Sequence, residues 1–242
     1  MAYRIALVSG KGGSGKSTAT AGLAQAFCAQ GLRVLCVDCD IGLRSLDLLL
    51  GFPGDIVFSW ADVLRGNCTL EQALRTRDTI SLLPAPLATM EKPDGEAYFA
   101  LLRRVSSDYD IVLLDAPAGF SVGFALAAAP ADLALVVAQA EPVALRSAAV
   151  CVRDLHEAYP TLKVRLLLNR LHKKRVQNGI NLNIDDAIDS VGAQLIGIIP
   201  EDEAVPAMLG KGKPLPDYAR AAGAFARTAR RVGGESLPLR ID

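Results

Sequence analysis

A single α/β domain, built on a doubly wound and mainly parallel sheet with helices on both faces, is what this sequence of 242 residues predicts. Three observations carry the expectation. Short Val/Ile/Leu runs alternate with helical segments, as in sheets buried on both sides. A glycine loop follows the first apolar run. Aspartates close two later runs, at the strand ends where ligands of such sheets bind.

The elements follow in order. Arg4 to Ser9 reads as the first strand. Ser17 to Gln30 is alanine-rich and helical, with Gly31 as its C-terminal cap. Arg33 to Asp38 is the second strand. Trp60–Arg65 and Leu70–Leu74 read as short helices, and Ile80 to Leu83 as a strand stopped by Pro84. Glu96 to Ser106 is helical and Asp110 to Asp115 is a central strand. Leu133–Ala138 and Val164–Asn169 are strands separated by the helical Val143–Ala158. Leu195–Ile199 is the last strand. Val205–Leu209 and Tyr218–Val232 are helical, the latter with Tyr218, Ala222, Phe225, Ala229 and Val232 as a core stripe. No repeat or low-complexity linker divides the chain, so residues 1–242 read as one domain.

Composition excludes several classes. Apolar residues make up 51% of the chain, and 26 Lys and Arg balance 26 Asp and Glu. No broad field steers a charged partner, and no nucleic acid is expected. Lys173-Lys174-Arg175 is a local exception, a solvated loop or a surface for an anionic partner. Five cysteines, an odd number, and no secretory leader point to reduced thiols in a cytoplasm. Cys36 and Cys39 stand three apart in an extended run, which puts them on opposite faces. Phe124–Ala138, the most apolar stretch, is broken by Pro130 and Asp132 too soon to span a bilayer.

The chemistry begins at Gly10-Lys11-Gly12-Gly13-Ser14-Gly15-Lys16-Ser17, a complete G-x-x-x-x-G-K-[ST] phosphate loop between a strand and a helix. Glycines let successive N–H groups converge on one anion, and the helix adds its positive end. Lys16 suits the β- and γ-phosphates. Ser17 suits Mg²⁺, and Thr18 the α-phosphate. Asp115 reads as a metal-holding residue, directly or through water. Ala116–Gly119 follows as a loop placed to sense a γ-phosphate. Asp40 is the candidate for orienting an attacking water, and Asp38 stands nearer the metal and Lys16. A carboxylate beside Mg²⁺ and lysines stays ionised and is a weak base, which favours slow hydrolysis. The strand end Asn169-Arg170-Leu171-His172 lacks the aspartate of N-K-x-D, so adenine is favoured over guanine. Asn169, Pro200 and Asp202 are candidates for lining its pocket.

Lys11, just after the first glycine, makes the loop a deviant Walker A motif. With Val37–Leu48 (VDCDIGLRSLDL), Ile111–Gly119 (IVLLDAPAG), Glu141 with Arg146, and Leu195–Asp202 (LIGIIPED), the chain resembles the MinD/ParA family of P-loop ATPases over nearly its full length. The resemblance implies ATP and Mg²⁺ as ligands, a face-to-face ATP-dependent homodimer, and slow hydrolysis stimulated by a partner. It also implies that Lys11 reaches the other subunit's phosphates and acts in catalysis with Lys16 and Asp40. Glu141 would lie near the dimer interface. In the MinD branch the role is placement of the division septum, with a MinC-like inhibitor and a MinE-like activator as partners. Location would be cytoplasmic, peripheral at the inner face of the cell membrane. MinD proteins end in a basic amphipathic helix that binds membrane. Residues 233–242 form instead a short, Pro-interrupted, lysine-poor tail, so the sequence is truncated before that helix or lacks it. Alternatives are a ParA-like partitioning or flagellum-placing ATPase and an iron–sulfur carrier ATPase. Ile41-Gly42 after Asp40, in place of Pro-Gln, speaks against a ParA-like ATPase, and the lack of an N-terminal extension before the loop against a flagellum-placing one, which shares G-L-x-x-L-D. The lack of ligand company for Cys68 and Cys151 speaks against the last.

Overall fold

Strands that are apolar on both faces need helices above and below, and the computed structural model has that arrangement. It describes residues 2–52, 54, 56–87, 93–179 and 183–240. The strands are β1 (Tyr3–Val8), β2 (Val34–Asp38), β3 (Arg75–Arg77), β4 (Ile80–Leu83), β5 (Ile111–Asp115), β6 (Leu133–Ala138), β7 (Lys163–Leu171) and β8 (Leu195–Pro200). The helices are α1 (Lys16–Cys28), α2 (Leu46–Leu50), α3 (Trp60–Leu64), α4 (Leu70–Ala73), α5 (Gly95–Ser106), α6 (Val122–Ala128), α7 (Pro142–Ala158), α8 (Lys173–Gln177), α9 (Ile184–Val191), α10 (Ala204–Met208) and α11 (Arg220–Val232).

The sheet runs β3-β4-β2-β5-β1-β6-β7-β8. Every pairing is parallel except β3 with β4. Along β1 the side chains alternate between two cores. Ala6 and Val8 face the core shared with α3, α5, α6 and α7, and Ile5 and Leu7 face the core under α1, α2 and α11. Cys39 belongs to the first core and Cys36 to the second, as their spacing predicts. Chain order reverses at β1, which lies between β5 and β6. The loop after β1 therefore opens at the switch point of the sheet.

Several elements differ from expectation. α2, α6, α8 and α9 are additional helices, α8 standing where Lys173-Lys174-Arg175 reads as a loop. α6 is short and mostly buried, so its sequence shows no amphipathic period. α9 is started by Asn183, whose side chain accepts from Asp186 N. β3 is a charged edge strand of three residues, too short and polar for a strand signal. The α11 stripe is also corrected. Its buried residues are Ala221, Ala224, Phe225, Thr228 and Ala229, and Tyr218 lies before the helix with 88% of its surface exposed. Asp202 Oδ2 accepts from Ala221 N, which fixes the helix start after Tyr218. The tail is fastened to the open edge of β8: the Arg231 guanidinium donates to the carbonyls of Ile196 and Leu237, and Arg230 pairs with Glu235. Met1, Ile241 and Asp242 lie outside the described residues.

α1 and α11 pack through Gly22 and Phe225. A Cβ at Gly22 would lie 2.4 Å from the fully buried ring. Gly22→Ala gains about 1 kcal/mol of helix propensity, but overpacking a core costs about 1–3 kcal/mol. A net loss of roughly 1 kcal/mol is expected in a urea melt. Gly223→Ala, whose Cβ would meet only Arg227 Nη1 at 3.5 Å, is expected to gain about 0.5–1 kcal/mol in the same assay.

Candidate functional site

The loop between β1 and α1 is held from several sides. Ser9 Oγ donates to the carbonyl of Lys11 at 2.8 Å and accepts from Lys16 Nζ at 2.9 Å. The Lys16 side chain thus folds back across its own loop and is buried. Asn169 Nδ2, from the end of β7, donates to the carbonyl of Ser14 at 2.9 Å. Gly15 makes this possible: it has φ of 89°, and a Cβ there would lie 2.3 Å from Asn169 Nδ2. At Gly10 a Cβ would lie 2.2 Å from the carbonyl oxygen of Ser147 in α7. On the far side Gly119 N donates to the carbonyl of Ser9 at 3.3 Å, joining this loop to the one after β5. Lys11 is exposed at the front. Glu141, at the N-cap of α7, lines with Lys11 and Gln139 a small cleft of about 120 Å³.

Three carboxylates stand at the ends of β2 and β5 and in the turn after β2, and two of them, Asp115 and Asp40, act on the charge of Lys16. Asp38 and Asp115 end β2 and β5 in direct register and are both buried. Asp115 Oδ1 accepts from Thr20 Oγ1 at 3.0 Å, and the Ser17 hydroxyl also bonds this carboxylate. Asp115 Oδ2 is buried with no partner, and so is Ser14 Oγ. Burial raises the Asp115 carboxyl above the usual range, against the pull of Ser17, Thr20 and Lys16. Burial, then repulsion from Asp115, raises Asp38. Asp40 is raised by burial, with Lys16 opposing. Lys16 is lowered by burial, with Asp115 and Asp40 opposing.

Asp38, expected near the metal, has both oxygens engaged. Oδ1 accepts from Asp40 N at 2.8 Å and Oδ2 from Leu46 N at 3.3 Å. It clamps the turn that carries Asp40. That turn needs left-handed backbone at Gly42 and Arg44, with φ of 94° and 40°. It then brings Ser45 Oγ within 3.4 Å of Ser17 Oγ. Ser9, Thr20 and Ser45 are parts of the site that motif spacing missed. Their signal is only proximity in the fold.

Beside the loop lies a cleft of about 500 Å³. Thr18, Asn169, Pro200 and Asp202 line it together, with Arg170 and Phe225. Asp202 also has a framework task, accepting from Ala204 N at 2.9 Å and Ala221 N at 3.0 Å. Arg170 is an addition to the expected set. It has φ of 54° and sits at the irregularity of β7 between Leu168 and Leu171. Lys173 and Lys174 are not in this cleft. They line a neighbouring one with His172, Glu201 and Arg220, while Arg175 is exposed.

Comparison with known proteins agrees with this geometry. The model of the CobQ/CobB/MinD/ParA nucleotide binding domain matches residues 5–215. The septum site-determining protein MinD of Synechocystis is 36% identical, over 97% of this chain and 91% of that protein. The structure of the MinC:MinD cell division protein complex of Aquifex aeolicus superposes with a TM-score of 0.90 at 37% identity, covering 99% of both chains. MinD of Pyrococcus horikoshii, complexed with Mg-ADP, gives a TM-score of 0.83 at 28% identity over 96% of each chain. A deviant phosphate loop braced by β7, two paired strand-end aspartates and these full-length likenesses place one chain in one group: it belongs to the MinD branch of the CobQ/CobB/MinD/ParA nucleotide-binding family.

Proposed function

We propose that this chain is a MinD-like ATPase switch acting in placement of the division septum. The observation that carries the reading is the unpartnered Asp115 Oδ2, buried beside Ser17 and Lys16 at the mouth of the phosphate loop. A buried carboxylate oxygen without a partner is costly. A divalent cation, or water bound to one, would satisfy it. Ser17 and Asp115 would hold Mg²⁺, which when bound neutralises charge on phosphate oxygens. The N–H groups of Gly12 to Ser17 would bind the phosphates, and the buried Lys16 would neutralise them. Thr18, Asn169, Pro200 and Asp202 would border the base. Adenine is favoured because no aspartate follows Asn169-Arg170 to pair with guanine.

Asp40 would orient the attacking water. Its turn is clamped by the Asp38 carboxylate, which accepts from Asp40 N and Leu46 N. This supports catalysis by placement and hence slow turnover. Lys11 makes no side-chain contact with its own loop among the described residues and stands at the exposed front. That supports its use across a face-to-face dimer formed with ATP, with Glu141 nearby. A MinC-like inhibitor is the partner that the Aquifex complex suggests, and a MinE-like activator would accelerate hydrolysis. No helix among the described residues is long and apolar enough to cross a membrane. Peripheral attachment at the inner face of the membrane is the arrangement that the MinD resemblance suggests.

Asp40→Ala is expected to lower ATP turnover on the order of 100-fold while leaving ATP-dependent dimerisation intact. Lys11→Ala should lower turnover by at least as much and also weaken the dimer. Phosphate release and size-exclusion chromatography with Mg-ATP separate the two; an undiminished dimer in Lys11→Ala would refute the cross-subunit role. Asp115→Asn keeps the shape but removes the charge. It is expected to raise the Mg²⁺ concentration for half-maximal turnover about 10–100-fold, and an unchanged Mg²⁺ titration would remove Asp115 from the metal site.

A further inference from the structure

Trp60 is the only tryptophan of the chain, and none of its surface is exposed. It opens α3 under a Ser59–Asp62 capping box. Its indole Nε1 donates to the main-chain carbonyl of Asp38 at 2.9 Å. The reason lies in the sheet. The β2–β4 ladder stops at Val37 opposite Leu83, short of Ala85, the residue whose N–H would reach the Asp38 carbonyl if the register begun by Val34 N and the Thr79 carbonyl continued. The indole takes the place of the donor that a longer β4 would supply. Trp60 N in turn donates to the carbonyl of Pro84 at 3.0 Å, which ties the indole to the strand it replaces.

The same aromatic cluster grips the next residue. Tyr98 of α5 packs edge-on against Trp60 with ring centres 5.3 Å apart. Its hydroxyl is in hydrogen-bond contact with Cys39 Sγ at 3.3 Å. Cys39 N donates to the carbonyl of Asp115 at 2.9 Å. A Cβ at Gly123 would lie 2.2 Å from the Cys39 carbonyl oxygen, so α6 also packs closely there. The peptide between Asp38 and Cys39 is thus fixed at its oxygen by Trp60 and at its nitrogen by β5. The residue after it is Asp40.

We propose that Trp60 is a positioning residue for Asp40: its indole N–H fixes the Asp38–Cys39 peptide, and so sets where the Asp40 carboxylate stands. Losing that donor leaves a buried carbonyl unpaired, which the chain relieves by rotating the peptide. Rotation there displaces Asp40 but leaves the phosphate loop alone, because Trp60 makes no hydrogen bond to residues 10–17 among the described residues. The proposal rests on the reading of Asp40 as the residue that orients water.

The test is Trp60→Phe, which keeps an aromatic ring against Tyr98 and removes the donor. Turnover at saturating Mg-ATP is expected to fall about tenfold, within what a misplacement of about 1 Å costs, with the Kd for Mg-ATP within twofold of wild type. In an Asp40→Ala background the same substitution is expected to cost nothing further, since the two act as a unit. A merely structural tryptophan would lower turnover in both backgrounds. Turnover within twofold of wild type, or equal losses with and without Asp40, overturns the proposal. If Trp60→Phe does not fold, replacement by benzothienylalanine, which has the same outline without the N–H, decides by the same readouts. A wild-type protein that neither binds nor hydrolyses Mg-ATP would instead sink the ATPase reading, and the positioning role with it. Wild-type turnover with an unaffected variant sinks the positioning role alone.

Discussion

Asp38 and Asp115 end adjacent parallel strands in the same register, with almost no solvent on either. Two carboxylates so placed repel each other and lose hydration, a combination that a purely structural core would not retain. The local architecture answers it in parts. Backbone N–H groups from Asp40 and Leu46 take one carboxylate, and the hydroxyls of Ser17 and Thr20 take the other. Lys16 supplies a buried positive charge that acts on Asp115 and Asp40. One Asp115 oxygen remains unanswered. The stability deficit and the binding capacity are therefore the same feature: the site is completed by the cation and phosphates it exists to hold.

That arrangement dictates where bulk is forbidden. Gly10, Gly15 and Gly123 each meet another atom at 2.2–2.3 Å from where a Cβ would stand. The three partners are α7, the Asn169 amide and the Cys39 carbonyl. They mark where the loop after β1 meets α7 and β7, and where the helix after β5 meets the loop after β2. Close approach, more than backbone freedom, is why Gly10 and Gly123 must be glycine, since neither has positive φ.

Much of this was legible in the sequence where the signal is local. The apolar runs located β1, β2, β5, β6 and β8 to within a residue or two, because a strand buried on both faces leaves little room for polar residues. The phosphate loop is a contiguous motif and needs no fold to be found. What spacing could not give was the pairing across the sheet. Nothing in the sequence says that Asp38 turns both oxygens to its own loop, or that Ser45 returns to Ser17. α6 was hidden because a helix buried nearly all round lacks a period. The α11 stripe is displaced because Asp202, nineteen residues before Ala221, decides where that helix begins by a long-range hydrogen bond.

The loops after β2 and β5 share a fulcrum, and this bears on how slow hydrolysis and switching coexist. Cys39 bonds the Asp115 main chain through its N–H and carries the packing of α6 on its carbonyl. Gly119 bonds the phosphate loop through Ser9. A group arriving at the end of a bound phosphate chain thus touches a connected set of three loops, not one side chain. On the proposed reading, such a set responds as a unit, which is what a two-state element requires. Its cost is catalytic. A carboxylate locked in a clamped turn acts by holding the water in place. A fold that keeps Asp40 this constrained favours a long-lived bound state, and leaves acceleration to whatever a second subunit or a partner adds at the exposed face beside Lys11.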